Sequence, residues 1–224
     1  MIHVSSLRLD RLREAAGDLR FLLNRGYSKE RATEFVAGRY LLRRSERNAV
    51  YRSVFSDRDI RSTKGKRISP RAMKDQAASV DGFNVVNTLL SINAGGPLIL
   101  CDDGILRDIA AVHRRFRFSS QALEAVVVMV ETLRSLEVSA ATVYYDAQIS
   151  RSGDTASATR SVMEERGLKG LCSTKQSVDH AIAKNQGVAV TSDSAILARV
   201  NSFFDLPAHV AKKRSLNELI ISIR

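Results

Sequence analysis

The sequence has no tryptophan, three prolines, two cysteines and four histidines among 224 residues, and aromatic residues make up only 6%. A core built from it must therefore consist mainly of Leu, Val, Ile and Ala side chains. Cys101 and Cys172 lie too far apart to form a zinc signature, so we expect two buried, reduced thiols. Neither G-x-x-x-x-G-K-[ST] nor G-x-G-x-x-G occurs, which argues against ATP and dinucleotide chemistry.

Long apolar runs are also absent. No stretch approaches the roughly 20 apolar residues that a membrane-spanning helix needs. The first 20 residues, MIHVSSLRLDRLREAAGDLR, lack the apolar segment of a signal peptide. We therefore expect a cytoplasmic protein with no membrane partner.

The net charge of +11 is distributed unevenly. Residues 1–79 carry 19 Lys+Arg and 9 Asp+Glu, a net charge of +10, whereas residues 80–224 carry 16 and 15, a net charge of +1. Such asymmetry indicates an anionic partner, and we favour nucleic acid over a merely solvated basic face. The arginines expected to contact phosphates surround one predicted helix: Arg43, Arg44, Arg47 and Arg52. No feature of the sequence identifies a protein partner.

Two patterns of apolar residues predict two domains. Helical spacing predicts a small all-α domain over residues 1–60, with Ser28 and Ser45 as N-caps. The polar and basic stretch at 56–71 is expected to be a linker, and the division into domains places the linker at 61–76. From residue 77 onward strands and helices alternate, which predicts an α/β domain over 77–224 with a mainly parallel sheet flanked by helices. The predicted strands cover 77–81, 97–102, 141–146, 169–172, 187–191 and 203–206. The predicted helices cover 84–93, 104–115, 119–136, 155–166, 178–186 and 194–200.

Aspartates follow four of the apolar runs, and a fifth opens a predicted helix: Asp81, Asp102, Asp146, Asp193 and Asp179. In a parallel α/β sheet the site lies outside the carboxyl ends of the strands, so we expect these carboxylates at one edge. Like charges gathered there repel one another, and a hard divalent cation relieves the repulsion. The pattern therefore predicts a metal-dependent enzyme that acts on phosphate esters.

Polar residues accompany two of these acids and are candidate substrate contacts. Asn84 follows Asp81 in the stretch DGFN, where it can orient the carboxylate or begin a helix. Ser192 precedes Asp193 in TSD, where a hydroxyl can hold the carboxylate or a metal-bound water. The alternative is that these residues only form an ordinary turn and helix cap.

Four short motifs occur in order within residues 77–206: VDGFN, VYYDAQ, SVDHAIA and VAVTSD. In content and order they resemble the PIN-like nuclease superfamily, most closely its NYN branch. The resemblance implies a PIN-like α/β fold in which four acids hold Mg²⁺ or Mn²⁺ and hydrolyse RNA phosphodiester bonds, namely Asp81, Asp146, Asp179 and Asp193. It also implies that the segment after Asp146 borders the site. There Ser150 and Arg151 could donate to a phosphate, or could lie in an exposed loop.

The whole chain also resembles a prokaryotic family of uncharacterised proteins. In that family a small domain with RGY and RYLL motifs precedes a PIN-like domain, and both motifs occur here at 25–27 and 39–42. PIN-like domains often carry a glutamate on a mid-chain helix, for which Glu124 is a candidate. Asp102, Asp103 and Asp108 compete with it, although the last two could simply compensate a helix N-terminus.

The expected function is that of a metal-dependent ribonuclease, and more specifically of an endonuclease. Asp81, Asp179 and Asp193 would hold the metal, and Asp146 or Asp102 would bind it directly or through water. A metal-bound water of lowered pKa would attack the phosphorus. Two alternatives stay open: a nucleic-acid-binding protein with a vestigial metal site, and a metal-dependent phosphatase.

Overall fold

The computed structural model describes residues 7–96, 98–108 and 118–223. The helices in this part of the chain are α1 (Leu9–Asn24), α2 (Lys29–Arg39), α3 (Arg44–Ser53), α4 (Asp57–Lys66), α5 (Gly82–Asn93), α6 (Ser120–Ser135), α7 (Ser152–Glu165), α8 (Val178–Lys184), α9 (Ser194–Arg199) and α10 (Leu206–Lys213). The strands are β1 (Ala77–Asp81), β2 (Leu98–Leu100), β3 (Leu106–Asp108), β4 (Ala140–Asp146), β5 (Gly170–Lys175), β6 (Val188–Val190), β7 (Phe203–Phe204) and β8 (Ile220–Ile221).

Packing divides the chain into two compact units. Unit 1 contains the described residues of 1–65, 95–114 and 216–224, and unit 2 contains those of 66–94 and 115–215. No described helix is both long and apolar enough to cross a membrane.

A five-stranded parallel sheet forms the centre of unit 2, in the order β5-β4-β1-β6-β7. Strand β1 lies in the middle, with Asp81 opposite Tyr144 of β4 and Val80 opposite Val190 of β6. The chain leaves β1 towards β4 and β5 and later returns to its other side at β6. A reversal of this kind opens a crevice at the carboxyl ends of the two strands that flank it. The predicted α/β class, with a mainly parallel sheet and a helical region before it, is confirmed.

Helices cover both faces of this sheet. Helices α5, α6, α7 and α10 pack together on one face, and α8 and α9 pack on the other. The alternation of side chains along β4 fits this division. Tyr145 is fully buried and hydrogen-bonds Thr159 of α7 at 2.8 Å. Its neighbour Tyr144 accepts a hydrogen bond at 3.4 Å from Asn185, which directly follows α8.

Unit 1 combines helices with a small sheet. Helices α1, α2 and α3 bury apolar residues such as Leu12, Leu19 and Val50 in one core cluster. In the three-stranded sheet β3-β2-β8, β2 is antiparallel to β3 and parallel to β8. Ile99 and Ile221 join the same core as the helices. Segments near the middle and the end of the chain therefore complete the hydrophobic core of the N-terminal helices.

Several elements differ from the sequence-based predictions. The predicted helix at 104–115 is wrong for 106–108, which form β3, and its remaining part from 109 lies outside the described residues. The stretch 56–71, expected to be a linker, contains helix α4. The predicted strand at 203–206 ends at Phe204 because Asp205 caps α10 by accepting a hydrogen bond from Ala208 N. Both cysteines are buried and free, as predicted.

Gly170 shows where the sheet tolerates no side chain. Its φ of 143° lies in a region that other residues rarely adopt, and a Cβ there would overlap the carbonyl oxygen of Ala141. We expect Gly170→Ala to lower the free energy of unfolding by more than about 3 kcal/mol, because both the backbone strain and the overlap must be relieved. Thermal unfolding checks this. Gly153→Ala is the control, since no atom lies within 4 Å of a Cβ at that position in α7, and it should unfold at the wild-type temperature or above it.

Candidate functional site

Asp81 lies at the carboxyl end of the central strand and begins the following helix. Its Oδ1 accepts a hydrogen bond from Asn84 N at 3.4 Å, which makes it the N-cap of α5. Its Oδ2 accepts one from the Thr191 hydroxyl at 3.1 Å. Gly82 leaves room for the fully buried Tyr145 ring, because a Cβ there would lie 2.7 Å from Tyr145 Cδ1. The carboxylate is thus fixed from two sides, at the edge where strand β1 ends.

The loop after β6 is tied to the start of α5 by the TSD stretch. Asn84 Oδ1 accepts hydrogen bonds from both the backbone N–H and the hydroxyl of Ser192, each at 2.9 Å. Asp193 N donates to Thr191 Oγ1 at 3.0 Å. Thr191 therefore connects Asp193 to Asp81, and the ends of β1 and β6 are held together across the reversal of strand order.

Asp193 also has a structural role as the N-cap of α9. Its Oδ1 accepts hydrogen bonds from Ala195 N at 2.7 Å and from Ile196 N at 3.4 Å. Among the described residues, Oδ2 accepts none. One oxygen of this partly buried carboxylate is therefore committed to the helix, and the other is available to a ligand.

Asp179 and Asp146 approach the same edge from other elements. Asp179 lies in the first turn of α8, which is capped by Ser177 and packs on β1 and β4. Asp146 ends β4, two residues after Tyr144, so it lies on the same sheet face as Asp81. Its Oδ1 accepts a hydrogen bond from Gln148 N at 2.8 Å. We call Asp81, Asp146, Asp179 and Asp193 the acidic edge.

Electrostatics connect three of these acids. Burial raises the pKa of Asp81 to about 7, against the hydrogen bond from Thr191, and the charges of Asp193 and Asp179 raise it further. A carboxyl group so perturbed, beside named charges and at the point where the strand order reverses, is typical of functional sites. Near neutral pH both the protonated and the charged form of Asp81 are therefore populated.

The acidic edge offers oxygen ligands, but it is not a complete cage for a metal. Among the residues that the structure describes, no three His, Cys, Asp or Glu side chains lie close enough to hold one ion. Mg²⁺ commonly binds through one or two carboxylates and keeps several waters, and oxygen donors also suit Mn²⁺. The carboxylate of Asp81 and the free oxygen of Asp193 are donors of the type that such a hydrated ion prefers.

Two polar residues of this face were not predicted as site residues. The Ser79 hydroxyl is buried, lacks a hydrogen-bond partner among the described residues, and lies on the same side of β1 as Asp81. Such an orphaned group costs free energy unless water or a ligand satisfies it. Tyr144 lies directly opposite Asp81 in register. The alternation of side chains along SVD and YYD could have identified both.

Asp102 does not belong to the acidic edge in this structure. It lies in unit 1, where Arg20 donates two hydrogen bonds of 2.9 Å to it and Phe55 N donates one of 3.3 Å. The Asp102 carboxylate is thus paired with the Arg20 guanidinium and is not a metal ligand here. The stretch CDDGILRD thereby gains a structural explanation, since Asp103 also pairs with Arg107 through hydrogen bonds of 2.9 and 2.7 Å inside the unit.

The remaining candidates lie at the surface of unit 2 or belong to unit 1. Arg151 has a left-handed backbone with φ 62°, and its Nε donates to Asp154 at 2.8 Å, so its guanidinium is already paired. Ser150 is exposed in the loop before it, and Glu124 is exposed on α6. Asp108 is buried at the end of β3 rather than at a helix start. The proposed phosphate contacts in unit 1 are exposed on and before α3: Arg43, Arg44 and Arg47.

The chain belongs to the family described as a domain of unknown function (DUF5616), whose model matches residues 70–209. Residues 11–66 match a second model, described as a protein of unknown function (DUF434). An uncharacterized protein of Methanocaldococcus jannaschii is 33% identical over 190 residues, which cover 85% of this chain and 90% of the relative. No solved structure gives a significant match. These descriptions name no activity, so the PIN-like resemblance stays a prediction.

The raised pKa of Asp81 makes a prediction about stability and pH. Between pH 3.8 and about 7, the folded state holds a proton that the unfolded chain has lost. Stability therefore falls as pH rises through this window, by at most about 4 kcal/mol at about 1.4 kcal/mol per pKa unit. Asp81→Asn keeps a good N-cap and removes the penalty. In a chelating buffer the variant should exceed wild type in the free energy of unfolding at pH 8, and this excess should shrink towards pH 4.

Urea unfolding at several pH values measures this difference. Asp75→Asn is the matched control, because Asp75 is an exposed acid before β1, at the amino end of the strands, with a left-handed φ of 60° that Asn tolerates well. A pH-independent difference between Asp81→Asn and wild type would contradict the raised pKa.

Proposed function

We propose that this protein is a cytoplasmic, metal-dependent ribonuclease that hydrolyses RNA phosphodiester bonds at the acidic edge. The observation that carries the proposal is Asp81, whose pKa is raised to about 7 by burial and by the charges of Asp193 and Asp179. It lies where the strand order of a parallel sheet reverses, and ligands of such sheets bind there. The resemblance of the surrounding motifs to PIN-like nucleases supports the same chemistry.

The residues of the edge have separate roles in this proposal. Asp81 and Asp193 contribute carboxylate oxygens, and Thr191 fixes Asp81 through the 3.1 Å hydrogen bond to Oδ2. When bound, Mg²⁺ or Mn²⁺ would neutralise phosphate charge and activate a water for attack on phosphorus. Asp81 must lose its proton to act as a ligand, so binding of the ion competes with protonation near pH 7.

Unit 1 supplies the positive charge that an RNA ligand needs. Arg44 and Arg47 are exposed on α3, and their side chains make no hydrogen bond or ion pair with other described residues. Exposed guanidinium groups of this kind bind phosphates without reading sequence. We propose that they provide affinity, and that cleavage belongs to unit 2.

A nucleic-acid-binding protein without catalysis is the second candidate. It is favoured by one observation, namely that no three acids among the described residues lie within reach of a common ion. The two candidates predict the same binding to RNA and differ only in cleavage.

The ribonuclease proposal predicts cleavage of single-stranded RNA that requires Mg²⁺ or Mn²⁺. Asp81→Asn and Asp193→Asn should each lower the cleavage rate by at least about 100-fold, because each removes a negatively charged ligand. Wild-type activity should rise with pH through about 7, as Asp81 loses its proton. Gel analysis of end-labelled RNA gives the rates.

The matched control for these variants is Asp75→Asn, which removes an exposed acid at the other end of the strands and should cleave like wild type. Cleavage that survives an excess of chelator, or that both site variants retain, would exclude this mechanism. Metal-independent binding without any cleavage would select the second candidate.

A further prediction concerns the salt dependence of RNA binding. Replacing Arg44 and Arg47 together by Gln should weaken binding to unrelated single strands alike and lower the salt slope by about 1.4, at about 0.7 per phosphate. Titrations of labelled RNA at several salt concentrations give the slope. The full chain is required, because Ile99 and Ile221 complete the core of the N-terminal helices and a truncated protein would lose part of it.

A charge-matched variant separates specific contacts from overall charge. Arg58→Gln with Arg61→Gln removes the same two charges from exposed positions of α4 in the same unit. If this pair lowers the slope as much as the α3 pair, the arginines of α3 are not the phosphate contacts.

A further inference from the structure

A groove in unit 1 runs along the exposed side of α2 towards α3. It has a volume of about 530 Å³, within the range of roughly 300–1,000 Å³ that is usual for ligand sites. Its lining comes from α2, from the turn after it and from the start of α3: Glu34, Gly38, Leu41, Leu42, Arg44 and Arg47. Gly38 leaves its middle open, since no atom lies within 4 Å of a Cβ at that position.

Two large apolar side chains near the groove stand in solvent, namely Leu41, which lines it, and Phe35, which lies on α2 outside its lining. Phe35 is 68% exposed and Leu41 is 74% exposed. Phe35 precedes Gly38 by three residues on α2, so the two lie on the same helix face. Leu41 lines the groove three residues after Gly38. Single exposed apolar residues are ordinary, but two of this size on one short helix and the turn after it, next to a groove, indicate a binding surface.

Leu41 has a left-handed backbone conformation, which a leucine residue rarely adopts. Leu41 has φ 46° and follows the C-cap residue Tyr40, a place that glycine usually occupies. Leu41 N donates to Gly38 O at 3.2 Å and Leu42 N to Ala37 O at 2.9 Å, the Schellman pattern. Arg8 Nη2 donates to Leu41 O at 2.8 Å. A strained residue that exposes an apolar side chain at this place motivates a functional explanation.

The charges around the groove favour a polyanion. Arg44 and Arg47 line one side, and Arg31 and Arg39 lie one helical turn before and after Phe35 on α2. Arg31, Arg44 and Arg47 make no side-chain hydrogen bond or ion pair with other described residues. Glu34 is the acid among the residues that line the groove. An aromatic ring between arginines is the arrangement that binds single strands, because bases stack on the ring and phosphates meet the guanidinium groups.

We propose that this groove binds unpaired bases of single-stranded RNA, with one base stacked on Phe35 beside Leu41 and neighbouring phosphates held by Arg44 and Arg47. The inference rests on the proposal that RNA is the ligand of this protein, and it adds where the bases bind. Stacking tolerates every base, so the groove selects unpaired strands rather than a sequence. Base-paired RNA cannot present its bases to Phe35 and is discriminated against.

The test compares probes that differ only in their bases. The full chain in chelating buffer is titrated with fluorescent 2′-O-methyl oligouridine of about 12 nucleotides, a length within known site sizes for single-strand binders. The second probe is an abasic backbone of equal length, and the third is a duplex. Phe35→Ala should weaken binding to oligouridine about 5- to 150-fold, as expected for loss of one stacked base. It should leave binding to the abasic backbone unchanged.

Two further variants complete the experiment. Leu41→Gly places the usual residue at a left-handed position, so it should keep the wild-type unfolding temperature while weakening binding to oligouridine. Phe21→Ala is the matched control, because Phe21 is 54% exposed in the same unit but its ring is covered by Arg25 at 3.6 Å. The control should bind all three probes like wild type.

Three results would contradict the proposal that this groove binds unpaired bases. They are an equal loss of both single-stranded probes in Phe35→Ala, no loss at all, or the same loss in Phe21→Ala. A protein partner would give the second of these results. Cleavage of unmodified RNA with Mg²⁺ is measured separately on wild type. Base-dependent binding without cleavage would therefore support the groove proposal and reject the ribonuclease proposal. Cleavage without base-dependent binding would support the ribonuclease proposal and reject the groove proposal.

Discussion

The parallel pairing of β1 with β4 and β6 is the constraint on which the acidic edge depends. It places Asp81 opposite Tyr144 and Val80 opposite Val190. Asp146 follows Tyr144 by two residues and Asp193 follows Val190 by three, so the acids come at similar heights after three adjacent strands. Without this register, Thr191 could not reach Asp81, and Asp193 would have no connection to it. Carboxylates separated by up to 112 residues in sequence therefore meet because of hydrogen bonds between backbones.

The energetic problem created by this arrangement also suggests its use. A partly buried carboxyl group with a pKa of about 7 and two acidic neighbours gains stability from a proton or from a cation. In the proposed enzyme, protons and a divalent ion would therefore compete for the same oxygen near neutral pH. The hydrogen bonds from Thr191 and Asn84 work in the opposite direction and favour the charged form. The protonated and charged forms of Asp81 are thus close in free energy, as expected of a carboxylate that binds a ligand.

The sequence predicted what local patterns determine, and missed what distant partners determine. Apolar runs that end in aspartate were sufficient to predict a parallel sheet with acids at its edge. The strand at Leu106–Asp108 was predicted as helix, because its identity depends on pairing with β2 and on the buried contact between Arg107 and Asp103. Asp102 looked like its counterparts after the other strands, and only Arg20, 82 positions away, distinguishes it. Ser79 could have been recognised by alternation alone.

The comparison between an enzyme and a binding protein with a vestigial site depends on why Asp81 is an acid. Asn is as good an N-cap as Asp, but its single side-chain oxygen could not accept from both Asn84 N and the Thr191 hydroxyl, as Asp81 does through Oδ1 and Oδ2. Asn would avoid the cost of ionising a carboxyl group beside Asp193 and Asp179. Asp81 thus keeps both hydrogen bonds at the cost of ionising beside two other charges. In the proposed enzyme that charge would also bind a divalent ion, whereas in the binding-only alternative it would serve the hydrogen bonds alone.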